Sequence, residues 1–288
     1  LRKSTLTASK QGLVLQIMKG RKCLWGVIVL VIMTACTCNS PAKEPAPKPE
    51  DPREGLEPFF DLIKKYPDSI KLYEVLVDTL ANRGLFMEAA AWSDSAMVHE
   101  PEFSVGWLLA KGDLFRMAKR YDSAIRAYRS YLSIFPDDEQ ILLNLANTYA
   151  EKGDSLALPL CNQIAALFPT TDTKANTAFI AGIYYNISGN FAKARLWFDS
   201  AIKLQYTFTE AWMERGYSYY DEKMYAEAEK NFMQLSTINK SNADAWYWLG
   251  KSTEALGKTD KALDHYARAY SLDRNLTDAR RAIERLRK

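Results

Sequence analysis

ADAWYWLGKSTEALGKTDKALDHYARAYSLDRNL, residues 243–276, carries two short apolar stripes with a break near Gly257 between them. Trp246, Leu249 and Gly250 fall at i, i+3 and i+4, which places them on one face of a helix. Ala262, Tyr266 and Ala269 form the same pattern on a second helix. The stretch therefore predicts two amphipathic helices joined by a tight turn. Isolated helices shorter than about 12 to 15 residues are marginal in water, so such a pair has to be buried against something. The rest of the chain supplies copies of it.

Thirty-four residues earlier, Gly216, Tyr219, Ala228 and Phe232 stand where Gly250, Thr253, Ala262 and Tyr266 stand here, and a second step of the same size reaches Gly182, Tyr185, Ala194 and Phe198. A fixed period of this length is the signature of a repeat array. Upstream the spacing wavers by one to three residues at the turns, yet Ala157, Ala124 and Ala89 hold the equivalent of Ala194, so all six positions are alanine. A small residue is expected there because the second helix of each pair crosses the first at close range, with Gly182, Gly216 and Gly250 facing it.

These residues resemble the tetratricopeptide repeat (TPR) family, whose pattern is W-x2-L-G-x2-Y, then A-x3-F, then P. The resemblance covers roughly Ser69 to Leu276. It implies an all-α TPR solenoid, a right-handed superhelix of about six helix-turn-helix repeats. The sequence departs from the pattern in places. Proline ends the second helix at Pro67, Pro101, Pro136 and Pro169, but Tyr206, Lys240 and Arg274 take that place in the last three repeats. Tryptophan occupies its position only as Trp212 and Trp246.

A repeat array replaces one large core by a row of nearest-neighbour interfaces, so 288 residues are no obstacle to a single architecture. The formal charge of +3 is concentrated at one end. Residues 1–35 hold six basic residues and no acidic one, which leaves the remainder at −3. A mildly acidic body gives no basic stripe for nucleic acid. The cluster of Arg274, Arg280, Arg281, Arg285, Arg287 and Lys288 reads as a solvated helix end, helped by cations near a helix C-terminus, with a docking patch as the alternative.

The N-terminal segment reads as targeting information. From Met18, which is expected to be the translation start, Lys19, Arg21 and Lys22 form a charged region. Leu24 to Met33 form an apolar run of ten residues, too short to span a bilayer. Met33-Thr34-Ala35-Cys36 then resembles the lipobox of bacterial lipoproteins, with Met33 in place of the usual leucine. The resemblance implies cleavage after Ala35, lipidation of Cys36 and, with Thr37 next, an outer-membrane destination facing the periplasm. An ordinary signal peptide cut near Ala35, or an uncleaved anchor, is the alternative. Cys23, Cys38 and Cys161 do not make a disulfide framework.

The expected organisation follows. Residues 1–35 are a signal peptide and residues 36–58 a lipidated N-terminus with a disordered proline-rich linker. Residues 59–276 are the TPR array, begun by a degenerate half repeat from Phe59 to Tyr66, and residues 277–288 are a C-terminal capping helix. With Pro41, Pro45, Pro47, Pro49, Pro52 and Pro58, some 20 linker residues at about 3.1 Å each reach on the order of 60 Å.

Little in the chain points to catalysis. His99 and His265 are the only histidines, and no glycine-rich phosphate loop, HExxH or CxxC occurs. No catalytic residue, metal ligand, cofactor or small-molecule substrate is expected. The TPR resemblance directs attention instead to the flank that lines the concave groove in that family. Stepped through the repeats, this flank is polar in its first half and aromatic in its second, and Phe179, Ile183, Met213, Tyr217, Tyr220 and Tyr247 are the expected partner-binding residues. Either they bind a partner or, as Phe179 and Met213 could, they pack on the next helix. The expected function is a non-enzymatic scaffold, lipid-anchored in the bacterial envelope, that binds an envelope protein or peptide in its groove. A structural subunit of a stable envelope assembly is the alternative, and an enzyme with its site between repeats is a third class.

Overall fold

In the computed structural model, residues 51–99 and 104–287 are described, and they form fourteen α-helices with no strand among them. The expected leader, Cys36, Pro101 and the linker up to Glu50 lie outside the described residues. The helices group into two compact units, one ending at Arg120 and the other beginning at Tyr121. No helix among the described residues is long and apolar enough to cross a membrane.

The first unit contains α1 (Glu57–Lys65), α2 (Ile70–Asn82), α3 (Phe86–His99) and α4 (Ser104–Met117). Consecutive helices pack on one another. Tyr73, Leu76 and Leu80 of α2 meet Ala89 and Ala96 of α3, and Trp107 and Leu114 of α4 join the same buried cluster. Phe60 of α1 stacks on Trp92 of α3, ring centroids 5.6 Å apart. The linker ends earlier than expected. Pro58 already lies in the first turn of α1, where a missing N–H breaks no helical bond. Leu56 before it is fully buried, and the Arg83 guanidinium donates to the carbonyls of Pro52 at 3.0 Å and Glu54 at 2.6 Å. Residues 51–56 are thereby folded onto this unit instead of continuing an extended tether.

The second unit runs from α5 (Tyr121–Leu132) through α6 (Glu139–Lys152), α7 (Ala157–Leu167), α8 (Thr171–Ile187), α9 (Phe191–Leu204), α10 (Thr209–Asp221), α11 (Tyr225–Ile238), α12 (Ala243–Ala255), α13 (Thr259–Leu272) and α14 (Thr277–Leu286). Local chemistry sets several boundaries. Asp138, Thr170, Asn190 and Asn242 are N-caps whose side chains accept from the N–H groups of Ile141, Thr173, Lys193 and Ala245. The turns between paired helices pass through left-handed residues, of which Gly153, Gly189 and Gly257 adopt that conformation without a Cβ penalty. Lys223 takes the same conformation at φ 61°.

The six recurrent alanines are all fully buried. The glycines opposite turn out to serve a different neighbour from the one expected. A Cβ at Gly182 or Gly216 would overlap the ring of Phe198 or Phe232, and one at Gly250 would sit 2.8 Å from the ring of Tyr266. The glycine thus admits the aromatic ring four residues beyond the alanine. Phe198 and Phe232 are completely buried, and Tyr266 is nearly so.

Two of the three turns that lack proline have another support. Trp212 donates its indole N–H to the carbonyl of Tyr206 at 2.8 Å, and Trp246 donates to that of Lys240 at 3.2 Å. Each tryptophan pins the carbonyl of the residue that replaces the family's proline. Buried Asn231 adds a polar tie, donating to the Trp212 carbonyl at 2.8 Å and accepting from Arg215 Nε at 2.8 Å. Trp212→Phe keeps an aromatic body and removes the donor. It is expected to cost about 1 kcal/mol, the net worth of one such bond, read as a lower urea midpoint; an unchanged midpoint would assign the turn to packing alone.

Candidate functional site

The C-terminal part of the second unit builds a cleft of about 560 Å³ from α10, α12, α13 and α14. Tyr220, Tyr247 and Tyr266 contribute its aromatic wall, Lys251 and Glu254 its middle, and Asp278, Arg281 and Arg285 its far side. Behind the wall stands Trp248. Tyr217 meets it edge-on at 4.7 Å between ring centroids, Tyr220 at 5.3 Å and Tyr247 at 5.9 Å. Edge-to-face pairs at such spacing are each worth about 0.5–1.5 kcal/mol beyond burial, so the wall is preorganised.

Charge is placed on this wall with care. The Lys251 ammonium lies 3.9 Å from the centre of the Trp248 ring and 4.9 Å from that of Tyr220. Burial against the rings pulls its pKa below the ordinary lysine value, although Asp221, Asp278 and Glu254 oppose that shift. Glu254 accepts two bonds from the Arg285 guanidinium, at 2.6 and 2.9 Å, and one from the Tyr266 hydroxyl at 2.8 Å. The bonds from Arg285 hold the Glu254 carboxyl below its usual range despite partial burial. Tyr266 is pushed well above the ordinary phenol value, first by burial and then by its bond to Glu254. The cleft is an aromatic surface with fixed polar groups.

The six predicted residues divide. Tyr217, Tyr220 and Tyr247 converge on Trp248, and the last two line the cleft. Phe179 lies 5.0 Å from Phe208 and 5.9 Å from Phe198, and with Met213 it packs against the buried cluster between repeats. Ile183 is partly buried on α8. Sequence reasoning missed Trp248, which falls next to Tyr247 and off the expected flank. It also missed the cleft-lining side of α14, whose alternation of alanines and arginines reads only as a solvated cap. Among the described residues no three His, Cys, Asp or Glu side chains gather to hold a metal ion. His99 stacks on Tyr73 in the first unit, and His265 lies beside Trp246 in the second.

One group stands out beside the wall. Glu214, on α10, is largely buried, and burial together with the nearby charges of Glu151 and Asp221 raises its carboxyl to about 7 from an ordinary 4.5. Folding then binds a proton that the unfolded chain has already lost between these two values, so stability falls as pH rises through that window. The shift corresponds to on the order of 3 kcal/mol. Glu214→Gln is expected to match the native chain near pH 4.5 and to exceed it in denaturant midpoint above pH 7. Equal midpoints at high pH would mean that the charged carboxylate is well solvated.

Known proteins resemble this architecture. The tetratricopeptide-repeat family models match residues 104–148, 209–242 and 243–276. No curated protein matches the chain. Among solved structures, a tetratricopeptide repeat protein from Parabacteroides merdae is similar at a TM-score of 0.58 with 16% identity, over 81% of this chain and 91% of that one. The thermophilic TPR protein TTC0263 of Thermus thermophilus gives 0.50 with 20% identity, over 63% of this chain and 98% of that one. The APC/C hetero-tetramer Cut9-Hcn1 gives 0.51 with 18% identity, over 80% of this chain and 45% of that one. At these identities the likeness is one of fold. Tetratricopeptide repeats thus lie at the matched residues, and the described residues share the all-α fold of these proteins.

Proposed function

We propose that this tetratricopeptide-repeat chain is a non-enzymatic scaffold that binds a protein or peptide partner on the aromatic cleft of α10, α12 and α14, and that it does so from a lipid anchor in a bacterial envelope. The observation that carries the binding part is the wall of Tyr220, Tyr247 and Lys251 held by Trp248. Tyrosine offers a large rigid apolar body with a polar tip and loses little side-chain entropy on contact. Ordered rings that are only partly buried are a surface already prepared for a partner.

The anchor is read from the sequence, where a charged region and an apolar run lead to Ala35 and Cys36. One acyl chain gives only marginal attachment, and the two or three that a lipoprotein carries give a stable one. The chain then faces the periplasm from the outer membrane, with the proline-rich segment after Cys36 as spacer.

Two measurements test the parts separately. Tyr220→Ala with Tyr247→Ala should preserve helicity and most of the melting temperature while weakening capture of the envelope partner by on the order of 2 kcal/mol, the scale of an interface hot spot. Undiminished capture by a folded double variant would remove the cleft from the site. Cys36→Ala should abolish fatty-acid labelling, and labelling that persists would contradict the anchor.

A further inference from the structure

A second cavity, of about 510 Å³, opens in the first unit among α1, α2 and α3. Phe60, Tyr73 and Trp92 supply aromatic lining, and Ile63, Pro67 and His99 line it with them. Phe60 stacks on Trp92 at 5.6 Å between ring centroids, Tyr73 tilts against Trp92 at 6.2 Å, and His99 stacks on Tyr73 at 5.9 Å. Two donors are left over. Among the described residues neither the Tyr73 hydroxyl nor the Trp92 indole N–H has a hydrogen-bond partner, although Tyr73 is only 2% exposed. Burial, and then the nearby charge of Asp68, raises the Tyr73 phenol above its ordinary value, so it keeps its proton and remains a donor. Polar groups at such depth are normally paired. What completes this pocket is an apolar ligand that carries acceptors in excess of donors.

A proline-rich segment has that composition. Pro45-Ala46-Pro47-Lys48-Pro49 carries five backbone carbonyls but only two N–H groups, those of Ala46 and Lys48, because proline has none. Proline's fixed φ keeps such a run extended, so little chain entropy is lost on contact, and aromatic-lined grooves take polyproline segments on this basis. The chain also delivers the segment to the pocket. Arg53 Nε donates to Glu88 of α3 at 3.1 Å, and Glu88 lies one helical turn, about 6 Å, before Trp92. Pro49 precedes Arg53 by four residues, a reach of about 12 Å for an extended proline-rich run. The segment therefore enters at the Trp92 side.

We infer that this pocket binds polyproline-type segments and that its resident occupant is the chain's own Pro45–Pro49, with prolines against Phe60, Tyr73 and Trp92 and backbone carbonyls accepting from the Tyr73 hydroxyl and the Trp92 indole. The site belongs to the first unit and stands independently of the aromatic cleft in the second. Attachment through a few residues gives the segment an effective concentration in the millimolar range. A like segment from another molecule is outcompeted unless it binds more tightly. The pocket is thereby masked in the free chain, and the spacer after Cys36 shortens to residues 37–44, on the order of 25 Å.

A synthetic peptide of residues 44–50 tests this against the full chain and against a full chain carrying Pro45→Ser, Pro47→Ser and Pro49→Ser. The peptide is expected to bind the triple-serine chain, shifting the Trp92 signal of fluorotryptophan-labelled protein, which Trp92→Phe assigns. It binds the native chain about tenfold more weakly, because the pocket is already filled. Tyr73→Phe removes the hydroxyl and keeps the ring; added to the triple-serine chain, it lowers peptide affinity severalfold and leaves the melting temperature in place. A photo-crosslinking amino acid at Phe60 of the otherwise native chain is expected to join residues 43–50 of the same molecule, giving a product of monomer mass. A triple-serine chain that does not take up the peptide overturns the pocket as a polyproline site. Equal binding to both chains, or crosslinks that only join two molecules, overturn the resident occupant. Affinity unmoved by Tyr73→Phe overturns the bonds assigned to the hydroxyl.

Discussion

In each of the last three helix pairs an aromatic ring has to fit against a glycine on the partner helix, and this requirement governs the rest of the second unit. The rings of Phe198, Phe232 and Tyr266 occupy the space that a side chain at Gly182, Gly216 or Gly250 would fill. The alanine four residues before each ring is fully buried as well, so both helices are small where they cross and large beside the crossing. That arrangement fixes how each helix of the pair is rotated. With one face committed to the ring and the alanine, the flank carrying residues 217, 220, 247 and 251 is left for other contacts.

What that flank does depends on which side chains the repeats place there. The position held by Trp248 is Glu214 one repeat earlier and Ile180 before that, so one backbone interface carries an indole, a carboxylate and an aliphatic chain in turn. Trp248 orders three tyrosines and supports Lys251 from below. Glu214 has no donor to order it, and its raised pKa records the cost. One register position thus carries the indole that orders the aromatic wall in one repeat and a largely buried carboxylate in the repeat before it.

The repeat period, the alanines and the glycines make the fold legible from the sequence, because close packing leaves few choices at a helix crossing. Tyr217, Tyr220 and Tyr247 are legible for a related reason, since they recur on one helical flank. Trp248 is not. It lies a residue away from that flank, and a helical side chain covers the turn before its own Cα, which the bare angular spacing ignores. The role of α14 is hidden too, because its arginines look solvated until Glu254 is seen to bind Arg285. Lys223 conceals a turn that glycine announces elsewhere, and the linker's last prolines fold because one of them fits the first turn of a helix.

On the function proposed above, a partner sits on the groove flank of the second unit and not on its outer helices. A photo-crosslinking amino acid in place of Tyr220 and, in a separate chain, in place of Leu196, which is 66% exposed on α9, tests this in intact cells. A discrete crosslinked species is expected from position 220, lost when Tyr247→Ala is added, and none from position 196. A species from position 196 with none from position 220 would contradict it.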